Sequence, residues 1–145
     1  MITLRQFQIN DFEELVDMYY EFTKEVYHNR KIGDRYFFYR SVQDWINSKR
    51  DIVIAEDNGK ILGFSKCWID DMGGLTEAMY QCDFAYVKPL HRKSRVAYML
   101  YHNANEYATK IGLKISSQGR VENGVSEMMS KHFGLEAKFI VMESM

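Results

Sequence analysis

The chain has 145 residues, 46% of them hydrophobic and 27% charged, with 19 basic against 20 acidic side chains and a net charge of −1. That balance suits one globular domain over residues 1–145 and argues against disorder. The broad basic excess that non-specific binding to nucleic acid or an anionic membrane needs is absent, and no segment reaches the roughly 18 apolar residues of a membrane span.

"ITLRQFQ" near the start reads as a short strand. Asn10 followed three residues later by Glu13 is a capping-box signal. Phe12, Leu15, Val16, Tyr19, Phe22 and Val26 then recur at helical spacing, which predicts an amphipathic helix to about Val26. A second helix carries Phe38, Val42, Trp45 and Ile46 on one stripe. "DIVIAEDNGKILGFSKCWI" predicts a hairpin turning at Asn58-Gly59. "TEAMYQCDFAYV" is a third long strand, stopped by Pro89, which has no amide hydrogen for a ladder. On it, Gln81, Asp83, Ala85 and Val87 are expected to share one face, with Tyr80, Cys82, Phe84 and Tyr86 on the other.

From Ser94 to Ile111 runs the clearest helix, with Val96, Ala97, Leu100, Ala104, Tyr107, Ala108 and Ile111 inward and Gly112 as its stop. "LKISSQGRV" is a strand, Asn123 to Gly134 a short helix, and "AKFIVME" a last strand. The order β-α-α-β-β-β-α-β-α-β predicts a mixed α/β fold, a mostly antiparallel central sheet flanked by helices.

Cys67 and Cys82 are too few for a disulfide framework and lie in no CxxC pair; two buried thiols are expected. His28, His91, His102 and His132 are scattered, and the His102–Glu106 pair fits a surface contact better than a metal site, so no metal is predicted. No signal-like apolar run opens the sequence, and a cytoplasmic protein is expected.

The stretch "VKPLHRKSRVAYML" places Arg92, Lys93 and Arg95 at a helix mouth. With Ser94 as N-cap, the amides of residues 93 to 98 would face the loop unpaired. The helix dipole adds about half a positive charge there. The arrangement suits a phosphate or pyrophosphate, although a short basic cluster capping a helix is the commoner use of such residues.

Strand, proline, basic turn and immediate helix together resemble the GNAT superfamily of acetyl-CoA-dependent N-acetyltransferases. That family's cofactor motif is a strand ending V-x-P, then R/Q-x-x-G-x-G/A opening a helix. Here it reads Val87-Lys88-Pro89, then Arg92-Lys93-Ser94-Arg95-Val96-Ala97. "YMLYHNANEYATKIG" is similar to the family's helix rhythm, and Asn123 to Gly134 resembles its asparagine, short helix and glycine. Arg95 stands where the motif has its first glycine, Ser130 where many members have a proton-donating tyrosine, and Gln81 where several have a catalytic glutamate.

The resemblance implies that acetyl-CoA is the co-substrate and that the backbone of Arg92, Lys93, Ser94, Arg95, Val96, Ala97 and Tyr98 holds its pyrophosphate. Ala85 and Val87, with Tyr86 between them, would meet the pantetheine arm, and the Ala85 amide or a neighbour would polarise the thioester carbonyl. Asn123 would contact the CoA chain. Asp83 becomes the candidate base, through a water, with Glu77 behind it; Ser130 becomes the candidate proton donor. A carboxylate simply satisfied by neighbouring donors is the competing reading of Asp83. The acceptor would be a small-molecule or peptide amine, approaching the first two helices and "DRYFFYR", where Tyr36, Phe37 and Tyr39 fall off the core stripe. Against the family pattern the last strand is expected to be missing or shortened, and a second copy could cover that edge as a homodimer. A GNAT-shaped module that binds acyl-CoA or nothing, without catalysis, is the alternative.

Overall fold

The computed structural model describes residues 1–117 and, beyond them, Lys131, Phe133 and Gly134. Ser130, Asn123, the short helix from 123 and the last strand fall outside the described residues, apart from helical Lys131 and Phe133 and the left-handed Gly134 at φ 66°.

The first strand is β1 (Ile2–Gln6). The helix α1 (Phe12–Val26) follows a single 3-10 turn at Ile9–Asp11. The expected Asn10–Glu13 capping box does not form. Asp11 takes that place: it accepts from the Gln8 amide at 2.8 Å and from both terminal nitrogens of Arg5, each at 2.8 Å. A charged fork opposite the carboxylate outcompetes a neutral asparagine for the corner.

The helix α2 (Arg35–Asn47) is capped by Asp34, whose carboxylate accepts from the Phe37 amide, and it buries Phe38, Val42 and Trp45 as the spacing predicts. Next come β2 (Asp51–Asp57) and β3 (Lys60–Asp70). Asn58 and Gly59 join them with φ of 52° and 78°, the left-handed pair that a tight hairpin requires. The third long strand, β4 (Met79–Val87), begins three residues later than the sequence pattern suggests. Then follow α3 (Val96–Lys110) and β5 (Lys114–Ser117).

The five strands lie in the order β1-β2-β3-β4-β5. All neighbours are antiparallel except β4 and β5, which run parallel with α3 as the crossover. The sheet is therefore mixed and mostly antiparallel, as the element order predicts. One face packs Ile52, Ile54, Phe64 and Tyr86 against Leu15, Val16, Phe38 and Trp45 of α1 and α2. The other packs Val53, Ala55, Leu62 and Val87 against Val96 and Leu100 of α3. Because β2 is buried on both faces, its sequence is a continuous apolar run rather than an alternation.

The face assignment along β4 needs correction. Register passes from Lys66–Phe84 to Cys67–Cys82, so Asp83 is an extra residue, a β-bulge. The bulge resets the alternation. Tyr80 and Cys82 pack with Tyr101 on the α3 face, whereas Phe84 and Tyr86 pack on the α1/α2 face. Ala85 and Val87 consequently lie on the α3 face, apart from Asp83.

No helix among the described residues is long and apolar enough to cross a membrane.

Candidate active site

Gly63 and Val87 are register partners, and the Lys88 amide bonds to the Leu62 carbonyl at 2.8 Å. Backbone groups alternate sides along an antiparallel strand, so those of Ala85 and Val87 point away from β3, toward the β5 side. Among the described residues, β4–β5 pairing runs from Met79–Lys114 to Cys82–Ser117, whereas β4 continues to Val87. Ala85 and Val87 turn their backbone to that side beyond the last described β4–β5 pair. The Val87 carbonyl accepts from Arg92 Nε at 2.8 Å.

Beyond β4 the chain turns through Pro89–His91 into α3. The helix begins one residue later than expected: Arg95, not Ser94, occupies the N-cap position. Ser94 instead donates its hydroxyl to the His91 carbonyl and accepts weakly from the Val96 amide at 3.4 Å. The first bond of the helical ladder joins the Met99 amide to the Arg95 carbonyl at 2.9 Å, so the Val96 and Ala97 amides stand outside that ladder.

The three cations at this mouth behave differently. Arg92 turns back onto α1, bonding Glu25 at 2.6 Å with its guanidinium over the Tyr86 ring. Glu25 holds the Arg92 guanidinium above its usual pKa. Arg95 leans along the helix over the Tyr98 ring at 5.6 Å, and Tyr98 in turn stacks on His102 and Phe133. Lys93 is exposed. Lys88, between strand and turn, pairs with Glu14 of α1.

On the α1/α2 face, Asp83 is 23% exposed at its side chain. One carboxylate oxygen accepts from Trp68 Nε1 at 3.0 Å; the other pairs with Lys66 Nζ at 2.8 Å. The Lys66 ammonium also lies 4.7 Å from the centre of the Trp45 ring and 5.9 Å from that of Phe84. Around them Phe22 stacks on Phe84 at 4.3 Å and Tyr19 on Phe84 at 5.6 Å. Burial, with the nearby Tyr27 and Asp83, raises the Tyr19 phenol above its ordinary pKa. Glu77 lies apart, exposed beside Lys114. Of the α2 aromatics, Tyr36 and Phe37 are 66% and 56% exposed, while Tyr39 packs edge-on against Phe12.

On the α3 face, Cys67 and Cys82 are buried, unbonded thiols directly opposite each other. The contact with Cys82, and burial, push the Cys67 thiol far above its usual range. Tyr101 lies against them, 5% exposed, in place of the expected Tyr107, which is 40% exposed. Helical spacing could have found Tyr101, which lies four residues after Ala97 and three before Ala104 on the same stripe. Lys66 and Trp68 were not anticipated either; both reach Asp83 from β3 on the α1/α2 face. His102 and Glu106 form the expected surface pair at 3.2 Å.

A mixed, mostly antiparallel five-stranded sheet whose fourth strand leads through a proline turn to a helix N-terminus defines the class of this α/β domain. The model of the acetyltransferase (GNAT) family matches residues 10–132, and the chain belongs to that family. No curated protein matches the sequence. Solved structures share the fold at low identity. A possible acetyltransferase from Clostridium difficile 630 superposes with a TM-score of 0.79 at 13% identity, covering 100% of this chain and 97% of that one. A predicted acetyltransferase with acetyl-CoA from Clostridium acetobutylicum gives 0.73 at 16%, covering 99% and 96%. An aminoglycoside acetyltransferase from an uncultured soil metagenomic sample, in complex with sisomicin, gives 0.72 at 13%, covering 99% and 95%.

Proposed function

We propose that this protein transfers the acetyl group of acetyl-CoA to a primary amine by direct attack. The observation that carries this reading is the backbone of Ala85 and Val87, which faces away from β3 at the end of β4 and leads through the Pro89–His91 turn to the amides that open α3. The pantetheine arm continues the ladder along β4. The diphosphate meets the Val96 and Ala97 amides, with Lys93 and Arg95 flanking it. Tyr86 stays on the α1/α2 face and supports this stretch through packing.

An alkylammonium with a pKa near 10.4 costs about 4–5 kcal/mol to deprotonate at pH 7. A base therefore matters more than an acid, since the leaving thiolate, with a pKa near 8.5, departs readily. Asp83 is the proposed base, acting through a water on the face where Tyr19, Phe22 and Phe84 present aromatic rings to an incoming ammonium. Lys66 and Trp68 each use one lone pair on its oxygens, and a carboxylate oxygen has another to offer. Ser130 and Asn123 keep their proposed roles as proton donor and CoA contact. The acceptor is a small-molecule or peptide amine, entering beside α1 and α2.

A second reading, a cofactor-binding module without catalysis, draws support from the same carboxylate: both Asp83 oxygens already have donors, and Gln81 cannot accept a proton. Thiol release from acetyl-CoA with a panel of polyamines, lysine peptides and aminoglycosides separates the two. Amine-dependent release supports the enzyme; binding without release supports the module.

A further inference from the structure

Lys66 stands at a half-buried position of β3, its side chain 13% exposed, two residues after the fully buried Phe64 on the same face. An ammonium taken out of water needs compensation. Here the stem crosses from β3 to β4. Nζ meets Asp83 at 2.8 Å and lies over the Trp45 and Phe84 rings. Lys66 is the register partner of Phe84, and its neighbour Ser65 is the partner of Ala85. A primary amine of the chain therefore already occupies the place beside the proposed base that an acceptor amine has to reach. From Asp83 to the Ala85 amide is two residues, about 6–7 Å of strand.

We infer that Lys66 is itself an acetyl acceptor: the protein acetylates Lys66 Nζ within one molecule, from bound acetyl-CoA. The inference rests on the acetyl-CoA reading and gives that site an acceptor in the chain itself. Asp83 takes one proton from the ammonium and passes it to water. The flexible stem then swings Nζ from Asp83 toward a thioester held at the Ala85 amide, with no movement of the backbone. The nitrogen lone pair forms the N–C bond as the C=O π pair moves onto oxygen. When the carbonyl re-forms, the C–S bond breaks and the sulfur leaves with its electron pair. The second proton of the nitrogen goes to that thiolate, so the products are N-acetyl-lysine, CoA and one proton released to solvent. The new amide is neutral. It takes the cation off the Trp45 and Phe84 rings and ends the ion pair, leaving Asp83 its bond from Trp68 Nε1.

The test incubates purified wild type with acetyl-CoA and no added amine, and follows each lysine by peptide mass mapping. Lys66 should gain one acetyl group about 100-fold faster than Lys60, which is exposed at the start of the same strand. The rate saturates with acetyl-CoA, holds when the protein is diluted, and falls when excess CoA competes. In urea the lead over Lys60 disappears. Lys66→Arg, which keeps a cation for Asp83, loses the thiol release that wild type shows without an amine. Lys66 left unmodified, or modified no faster than Lys60, overturns the inference, as does a rate proportional to protein concentration, which means transfer between molecules. If wild type binds no acetyl-CoA, the co-substrate reading fails and self-acetylation fails with it; saturable acetyl-CoA binding with Lys66 unmodified sinks only the role of Lys66.

Discussion

Lys66 and Asp83 meet at 2.8 Å across β3 and β4, and the ammonium that completes the pair lies on the Trp45 ring. Cys82 packs on the α3 face, so Asp83 turns to the α1/α2 face beside Lys66, and the bulge then brings Phe84 to that same face. In Asp83→Asn the amide oxygen keeps one of the two donors, the NH2 faces the other, and the proton acceptor is gone. We expect kcat for amine-dependent thiol release to fall about 100- to 1,000-fold, with the Kd of acetyl-CoA within about two-fold. Equal losses in Kd and kcat would place Asp83 in binding instead.

Gly63 fixes the approach of β3 to the end of β4. A Cβ built there lies 2.3 Å from the Tyr86 carbonyl oxygen and 3.1 Å from the Val87 Cα, both backbone atoms. Gly63→Ala must push away the segment that carries the proposed pantetheine contacts. Denaturant unfolding should show a loss of about 2–3 kcal/mol, accompanied by weaker CoA binding. Unaltered stability would mean that β4 is free to move.

Arg5 and Asp11 lock β1 to the start of α1. The Arg5 hydrogen bonds, opposed by burial, hold the Asp11 carboxyl below its ordinary pKa of 3.8. A lowered folded pKa gives stability that is fully present above the unfolded value and is lost as pH falls through the folded one. Wild type should therefore lose stability below about pH 4 more steeply than Asp11→Asn, which at pH 7 is less stable by about 2 kcal/mol. Urea midpoints from pH 7 to pH 2.5 check this; parallel curves would remove Asp11 from the account.

Lys93 and Arg95 are the cations that α1 does not engage, unlike Lys88 and Arg92. Replacing both with alanine should weaken CoA about ten-fold at low salt, and by less as salt rises. An equal loss at every salt concentration would point to altered helix geometry rather than charge.

Much of the fold was legible because its signals are local. Asn58-Gly59, the stripe through Phe38, Val42 and Trp45, and Gly112 each carry their own geometry. The site was less legible because it depends on pairings between distant segments. A single bulge residue reverses which face Ala85 and Val87 share, and no sequence period announces it. Asp11 displaced Asn10 at the corner because Arg5 reaches it from another strand. Arg92, read as a phosphate cation, is tied to Glu25, 67 residues away in the chain.

The most direct test is calorimetric titration of the purified protein with CoA and with acetyl-CoA. Saturable one-to-one binding at micromolar concentrations, weakened in the Lys93/Arg95 double-alanine variant, is the predicted result. Absence of heat with both ligands at millimolar concentration, from protein that unfolds cooperatively, would contradict it.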